Sequence, residues 1–237
     1  MSLSEFELID RFFKSRMTGD LHPAVSLGIG DDAAIMHGRA GQPLCVCTDV
    51  LVSGVHFPAG AVPAEIGQRA LRVNLSDLAA MGARPVCFML GLTLPSADEQ
   101  WLSGFSSGLL GAAEQFGCSL VGGDTTRGPL SISITAIGEV PSGEPVRRSG
   151  AKPGDVLYVT GCLGDGQVAL HYLDFDAAES TAHQSALAVA GQNSARKDLT
   201  PEDTVYLHGR FFRPEPRLAF ADLARNLMSS AIDVSDG

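Results

Sequence analysis

Residues 63–94 read PAEIGQRALRVNLSDLAAMGARPVCFMLGLTL and contain the longest helix and the longest strand that the sequence predicts. Proline near the start and glycine near the end of the first half are typical helix boundaries, so we predict a helix over 63–82. The second half is mostly apolar and predicts a strand over 84–94. A long helix that leads directly into a long strand indicates a protein that mixes both kinds of element.

The flanking sequence predicts more helices and strands. We expect helices over 4–17, 98–116, 164–174 and 215–228. We expect strands over 33–36, 44–52, 119–121, 131–140 and 156–160, and the start of one at 231–234. The stretch 176–210 is weakly patterned and has no assigned role. Because the order lacks regular βαβ alternation, the fold class is α/β of the α+β type, with a mixed sheet in the first part.

One stretch divides the chain. Residues 141–155, PSGEPVRRSGAKPGD, concentrate proline, glycine and charge, which is typical of a domain boundary. We therefore predict an N-terminal domain over 1–140 and a C-terminal domain of which 141–237 is the start.

Composition excludes several classes of function. Of the 237 residues 45% are hydrophobic, and 17 basic against 27 acidic side chains give a net charge of −10, which argues against binding to nucleic acid or to an anionic membrane surface. No signal peptide and no membrane-spanning run is visible. The five cysteines are scattered and odd in number, so neither a disulfide framework nor a zinc site is indicated, and a reducing cytoplasm fits best.

Five acidic clusters share one pattern, in which aspartate stands beside glycine, serine, threonine or asparagine. They are Gly30-Asp31-Asp32, Thr48-Asp49, Asn74-Leu75-Ser76-Asp77, Gly122-Gly123-Asp124-Thr125-Thr126 and Asp233-Val234-Ser235-Asp236-Gly237. Any one of them could be a turn or a helix cap, because these residue types are favoured at such positions. Together they indicate a glycine-lined pocket that is rich in carboxylates.

Asp77 is the least easily explained as a turn residue. On the predicted helix it shares the apolar face of Ile66, Ala70, Val73 and Met81. A carboxylate among apolar residues is costly unless it is paired or binds a cation. A salt bridge to Arg72 or Arg84 is one interpretation. The other is a divalent cation, and Mg²⁺ takes such oxygen ligands while keeping positions for substrate phosphates.

Other nucleotide-binding motifs are weak or absent. The segment Gly28–Ala33 matches G-x-G-x-x-A, but no convincing strand precedes it and two carboxylates stand where a pyrophosphate would bind. No P-loop pattern occurs. His56, next to the Asp49 cluster, could be structural or functional, and Arg127, Arg147 and Arg148 could bind phosphate or be solvated.

Six ordered motifs resemble the thiamine-monophosphate kinase family, of the superfamily that includes aminoimidazole ribonucleotide synthetase. They are GIGDDAA, TDVLVSGVHF, NLSDLAAMGARP, GGDTTRGP, RRSGAKPGD with the following LYVTG and LGDG, and AIDVSDG. They extend from near the start of the chain to its last residue, and their order makes the resemblance specific.

The resemblance implies transfer of the γ-phosphoryl group of ATP directly onto thiamine monophosphate, which gives thiamine diphosphate with the help of several Mg²⁺ ions. It also implies a two-domain architecture and a homodimer. The implied metal ligands are Asp32, Thr48, Asp49, Asp77, Asp124, Asp233 and Asp236. The implied ATP contacts are Gly123, Asp124, Arg148, Ser235 and, near the adenine, Phe105, and the implied thiamine monophosphate contact is His56.

The sequence departs from the family pattern at two points. Cys47 stands where the family often has serine, and a thiol is a poor ligand for Mg²⁺. The chain also stops at Gly237, inside a motif that the family continues, so we expect an incomplete C-terminal domain. Two other interpretations follow: a different ATP-dependent synthetase of the same superfamily, or a dimeric module that binds Mg-nucleotide without catalysis.

Overall fold

The computed structural model describes residues 5–17, 20–29, 35–40, 42–141, 145–172 and 199–234. The helices are α1 (Glu5–Phe12), α2 (Pro63–Ala80), α3 (Glu99–Phe116), α4 (Asp165–Tyr172), α5 (Pro201–Phe212) and α6 (Leu218–Ala224), with 3₁₀ turns at Lys14–Arg16 and Arg148–Gly150. The strands are β1 (Val25–Leu27), β2 (Ile35–Met36), β3 (Leu44–Val52), β4 (Arg84–Leu94), β5 (Ser119–Arg127) and β6 (Ser131–Glu139). The mixed α/β fold class is confirmed.

A four-stranded mixed sheet is the centre of the molecule. Its strand order is β3-β6-β4-β5, in which β4 and β5 run parallel and the other neighbours run antiparallel. Strands β3 and β6 pair without interruption from Leu44 opposite Glu139 to Val52 opposite Ser131. Because side chains alternate along a strand, this register assigns every residue to one of two faces.

Helices α2 and α3 cover one face of the sheet, which we call the covered face. Its strand residues include Ile132, Ile134 and Leu90, all buried, and they join α2 and α3 residues in one large core. The two helices cross closely at Gly108, where an added Cβ would overlap the backbone carbonyl of Ala64. Glycine at the crossing therefore brings the helix backbones together and holds α2 firmly against the sheet.

Both ends of α3 have clear local causes. The Asp98 side chain caps the start by accepting hydrogen bonds from the N–H groups of Gln100 at 2.8 Å and Trp101 at 3.1 Å. Gly117 ends the helix with a φ of 61°, a left-handed conformation that glycine adopts without strain. The sequence prediction of 98–116 is thus confirmed to within one residue.

The opposite face, which we call the open face, is largely uncovered in the described part of the chain. The antiparallel pair β1 and β2 packs only at one end of it, where Val25 meets Cys87 and Ile137. Elsewhere Val46 and Val50 of β3 are 62% and 50% exposed, and Met89 of β4 is 39% exposed. Apolar side chains on a sheet face with this exposure are typical of a surface that meets a partner.

The residues after 145 pack against the first part through arginines. The guanidinium of Arg69 on α2 lies over the ring of Phe211 at 4.1 Å and donates a hydrogen bond to the Phe211 carbonyl at 2.5 Å. Arg84 at the start of β4 donates two hydrogen bonds of 2.8 Å to the Asp222 carboxylate on α6. These contacts fix α5 and α6 against the sheet and helix of the first part. The domain boundary at 141–155 stays a prediction.

Several predicted elements differ from the observed ones. Residues 156–160 and 231–234 form no strand, and in the described ranges no neighbouring strand is available to pair with them. Strand β5 continues to Arg127 because its glycines and threonines pair in parallel with β4. Helix α6 begins only at Leu218, after two prolines and the left-handed Arg217, and α5 lies in a stretch with no predicted role.

None of the helices in the described ranges has the length and apolar character needed to cross a membrane. Residues 33 and 34 of one predicted strand, and residues 176–198 of the weakly patterned stretch, lie outside the described residues.

Candidate functional site

Three aspartates from distant parts of the chain influence one another. Asp49 extends from the covered face of β3, Asp77 lies in the last turn of α2, and Asp233 follows α6. Burial raises the pKa of Asp77 from its ordinary value of 3.8 to about 6, and the charges of Asp233 and Asp49 add to the rise. Burial also raises the pKa of Asp49, again with Asp233 contributing. The fold therefore gathers three of the predicted metal ligands into one carboxylate cluster.

Asp77 is not held by either arginine that a salt-bridge interpretation requires. Arg72 donates instead to Gln68, Gln115 and Pro214 and lies 3.9 Å from Glu215, and Arg84 pairs with Asp222. The structural interpretation of Asp77 as a paired core carboxylate is therefore wrong. Within the described ranges no lysine or arginine forms an ion pair with Asp49, Asp77 or Asp233.

Cys47 lies next to the cluster on the same face of β3. Its Sγ approaches the Asn74 carbonyl at 3.4 Å and forms a hydrogen bond with the Asp77 side chain. Burial raises the pKa of the Cys47 thiol to about 12, and the negative charges of Asp77 and Asp49 contribute. Cys47 is therefore a neutral hydrogen-bond donor here, unsuited to be a nucleophile or a ligand of Mg²⁺.

His56 lies in the turn after β3, beside the carboxylate cluster. Its Nδ1 accepts a hydrogen bond of 3.0 Å from the Val52 N–H, so in the neutral ring the proton is on Nε2. The residue is exposed, and its interaction with Asp49 opposes the rise of the Asp49 pKa. His56 can thus offer an N–H donor at the edge of the cluster.

Thr48 and Asp124 point away from this cluster. Thr48 alternates with Asp49 and lies on the open face, where its Oγ1 is 2.9 Å from the Thr135 Oγ1. Asp124 pairs in register with Gly91, in the row of Ser133 and Val50, and so also belongs to the open face. The fold therefore divides the predicted ligands between two faces of the sheet.

Gly123 is a glycine for a steric reason. Its φ is 148°, and a Cβ at this position would overlap the carbonyl oxygen of Leu90 on the neighbouring strand. Gly122, one residue earlier, has open space around the same position. The GGD motif therefore allows close strand pairing immediately before Asp124.

Arg148 is brought toward the segment that carries Asp233. Ser230 donates a hydrogen bond of 2.7 Å to the Arg148 carbonyl, and Ser229 donates one of 2.6 Å to the Asp155 carboxylate. Gly150 lies against the Ser229 carbonyl, where a Cβ would overlap it. These contacts bring a predicted ATP contact close to a predicted metal ligand.

Phe105 has no exposed surface in the described structure. It lies in the core on α3, with its ring stacked on that of Trp101 at 5.0 Å between centroids. This placement gives Phe105 a packing role and leaves no ring surface for an adenine. Asp32, Ser235 and Asp236 lie outside the described residues.

One cavity in the described ranges lies away from the carboxylate cluster. It has a volume of about 480 Å³ and is lined in part by Arg39, Arg84 and Glu139. None of the predicted site residues lines it. Arg39 pairs with Glu139, Arg84 with Asp222 and Glu215 with Arg72, so no free charge of these side chains indicates a ligand there.

The donor chemistry of the carboxylate cluster fits a hard divalent cation, since it consists of oxygen ligands that repel one another. Among the described residues no three acidic, histidine or cysteine side chains are close enough to hold a metal ion together. The raised pKa of Asp77 indicates that the carboxylates interact electrostatically. The ligands of one metal ion must in addition all lie within bonding distance of that ion. We therefore regard the cluster as part of a site rather than as a complete one.

Asn74 is a residue of this region to which the sequence assigned no role. It is fully buried, one turn before Asp77 on α2, and its Oδ1 accepts a hydrogen bond of 3.1 Å from the Asp49 N–H. Its spacing of three residues from Asp77 is the signal that could have drawn attention to it.

Comparison with known proteins agrees with the sequence motifs. Residues 30–140 match the family model described as AIR synthase related protein, N-terminal domain. The thiamine-monophosphate kinase of Escherichia coli K12 is 44% identical over 237 residues, which are 100% of this chain and 66% of the relative. The chain thus spans just under two thirds of the length of that relative.

Solved structures agree as well. The crystal structure of thiamine-monophosphate kinase from Stenotrophomonas maltophilia K279a has a TM-score of 0.78 at 44% identity, covering 100% of this chain and 69% of the other. The structure of AaThiL complexed with AMPPCP and TMP has a TM-score of 0.68 at 28% identity, covering 100% of this chain and 68% of the other.

Proposed function

The chain belongs to the thiamine-monophosphate kinase family, and from this premise we propose that it takes part in the ATP-dependent phosphorylation of thiamine monophosphate to thiamine diphosphate, the last step of thiamine diphosphate biosynthesis. The observation that carries the proposal is the electrostatic interaction of Asp49, Asp77 and Asp233, none of which pairs with a lysine or arginine of the described ranges. A phosphoryl-transfer site uses such carboxylates to hold the divalent cations that offset the charge of its two phosphate-bearing substrates.

The proposed metal is Mg²⁺, and the residues that would hold it are Asp49, Asp77 and Asp233 from the cluster, with Asp32 and Asp236 from its flanking motifs. When bound, Mg²⁺ supplies the positive charge that offsets the anionic phosphates of ATP and of the acceptor. Thr48 and Asp124 lie on the open face, on the other side of the sheet from the cluster. They can hold a metal ion only together with another surface that covers the open face.

The cluster contains no group suited to covalent catalysis. Cys47 is held neutral by its raised pKa, so it is not a thiolate nucleophile, and in the proposed site the aspartates hold cations. We therefore propose direct in-line transfer: an oxygen of thiamine monophosphate bonds to the γ-phosphorus, the bond from γ-phosphorus to the β–γ bridging oxygen breaks, and ADP leaves. The protein then acts by positioning and charge stabilisation.

We propose that His56 orients the acceptor phosphate. The Val52 N–H occupies Nδ1, so Nε2–H is the donor that remains for a phosphate oxygen. The neighbouring Asp49 places this donor at the border of the cluster. For ATP, we propose contacts with Gly123, Asp124, Arg148 and Ser235. Phe105 is omitted because it is buried in the core.

We also propose that a second copy of the chain covers the open face. Val46 and Val50 present exposed apolar side chains there, beside Asp124 and Thr48 in the same register. A symmetric pairing of two open faces would bury these valines and place predicted ligands at the interface. A cytoplasmic location stays a prediction that rests on the scattered free cysteines.

The test is chromatographic detection of thiamine diphosphate after the purified protein is mixed with ATP, Mg²⁺ and thiamine monophosphate, with a chelator as the control. Product that disappears with the chelator would support the proposal. ATP binding without product would favour a nucleotide-binding module, and ATP turnover only with a different acceptor would favour another synthetase of the superfamily.

A further inference from the structure

Asn74 connects helix α2 to strand β3 with both its side chain and its backbone. The Oδ1 atom accepts the Asp49 N–H at 3.1 Å, and the backbone carbonyl lies 3.4 Å from the Cys47 Sγ. The Nδ2 atom donates at 3.0 Å to the Ala70 carbonyl one turn earlier in α2. With no exposed surface, Asn74 therefore has its amide oxygen directed at the strand and its amide nitrogen at the helix.

These contacts concentrate at the carboxylate cluster. Asn74 precedes Asp77 by three residues on the helix, and on the strand it touches Asp49 itself. In the described part of the chain, the hydrogen bonds between α2 and β3 all involve Asn74 or Cys47. The two elements are otherwise joined only by packing.

A connection between α2 and β3 at this place opposes the electrostatic repulsion between the carboxylates that the two elements carry. Asp49 and Asp77 are both carboxylates, and when both are ionised their like charges repel one another. Repulsion of this kind pushes β3 away from α2. A buried amide that bridges the two elements opposes that movement, since a buried polar group is costly to leave unpaired.

We propose that Asn74 is a positioning residue that fixes β3 against α2, and with them the placement of the Asp49 and Asp77 carboxylates, for binding of a divalent cation. The inference rests on the proposed function for its biological meaning, but its physical claim concerns cation affinity alone. Asn74 does not touch the cation or the substrates. It acts through the backbone of Asp49 and through the turn of α2 that carries Asp77.

Asn74→Ser tests this claim because it keeps one hydrogen bond within the helix and removes the bond to the strand. A serine hydroxyl on a helix can still bond to the carbonyl four residues earlier, here Ala70, but it is too short to reach β3. Asn74→Ala removes both hydrogen bonds. Ser106→Ala is the matched control, because Ser106 is also a buried helix residue with a hydrogen bond to another element, at 3.1 Å from Arg16, but it lies on α3.

The first measurement is the affinity of the protein for Mn²⁺ in the absence of nucleotide and thiamine monophosphate. Electron paramagnetic resonance quantifies the free ion. We expect the dissociation constant to rise at least tenfold in Asn74→Ser and Asn74→Ala and to stay within twofold in Ser106→Ala. The second measurement is activity, where the Mg²⁺ concentration for half-maximal rate should rise at least tenfold while the KM for thiamine monophosphate stays within twofold.

The outcomes separate this inference from the proposed reaction. Weakened Mn²⁺ binding in the Asn74 variants, in a protein that makes no thiamine diphosphate, would support the role of Asn74 and reject the reaction. Unchanged Mn²⁺ affinity in a folded Asn74 variant would overturn the role of Asn74 even in an active kinase. Loss of folding in both variants, judged by circular dichroism, would also overturn it, because Asn74 would then be structural only.

Discussion

Asp49 and Asp124 lie on opposite faces of the same sheet. Asp49 shares its register row with Ile134, Leu90 and Gly123 on the covered face, whereas Asp124 shares the adjacent row with Val50 on the open face. They are also separated by three strand spacings, about 14 Å. One ion cannot contact both carboxylates within a single copy, so a common role for the two requires separate ions or a second chain.

The open face leads to the first prediction. Val46→Glu should convert a dimer into a monomer, because it places a charge within the proposed interface, on the open face where Val46 is 62% exposed. Sedimentation velocity would measure the change. Val205→Glu is the control, since Val205 is 72% exposed on α5 and should leave the assembly unchanged. A wild-type protein that sediments as a monomer at all concentrations would contradict the interface.

Asp77 predicts a pH dependence of stability in the metal-free protein. Its pKa in the folded state is raised from 3.8 to about 6, so folding favours the protonated carboxyl. This contribution to stability is fully present below about pH 4 and is lost as the pH rises through about 6. In the presence of a chelator, Asp77→Asn should therefore have a higher melting temperature than wild type at pH 7 but not at pH 4. Each 1 kcal/mol added to the free energy of unfolding should raise the melting temperature by about 2–4 °C.

The control for this measurement is Asp222→Asn, for which the sign reverses. Hydrogen bonds from Arg84 lower the pKa of Asp222, so its contribution is present above its ordinary pKa and is lost as the pH falls. With Mg²⁺ added, Asp77→Asn should lose activity while it remains folded. Equal loss of activity and of folding would show that Asp77 has only a structural role.

His56 should affect the acceptor more than the nucleotide. His56→Ala removes the Nε2–H donor beside Asp49, and we expect the KM for thiamine monophosphate to rise at least fivefold with little change in the KM for ATP. Steady-state kinetics with each substrate varied in turn would show the difference. His37→Ala is the matched control, because His37 is also an exposed histidine and its Nε2 forms a hydrogen bond with the Ser26 hydroxyl. An unchanged KM for thiamine monophosphate would refute the assignment.

The two glycines before Asp124 should differ in their tolerance of alanine. Gly123→Ala places a Cβ against the Leu90 carbonyl at a φ of 148°, so we expect a loss of about 1–3 kcal/mol in the free energy of unfolding. Gly122→Ala meets open space and should be neutral or slightly stabilising. Urea denaturation of both variants would test this, and similar losses in the two would argue against the steric explanation.

The sequence predicted the first part of the fold well because local signals and burial agree there. Strand β3 and strand β4 have the predicted bounds, and α2 differs only at its last two residues. The prediction from sequence failed where strand pairing decides the structure. Residues 156–160 are apolar yet lack a partner strand in the described structure, while Gly122 and Gly123, poor strand formers, are held in β5 by β4.

Among the site residues, the sequence by itself determined which residues have the chemistry: aspartates in glycine-rich and serine-rich motifs, and Asp77 on an apolar helix face. Only the tertiary structure decided which of them meet. It brought Asp49, Asp77 and Asp233 close enough for their charges to interact and separated Asp124 and Thr48 from them. It also placed Phe105 in the core and showed Asn74 as the link between helix and strand. The reason is physical: a motif fixes the type of a side chain, but strand register and helix packing fix the direction in which it points.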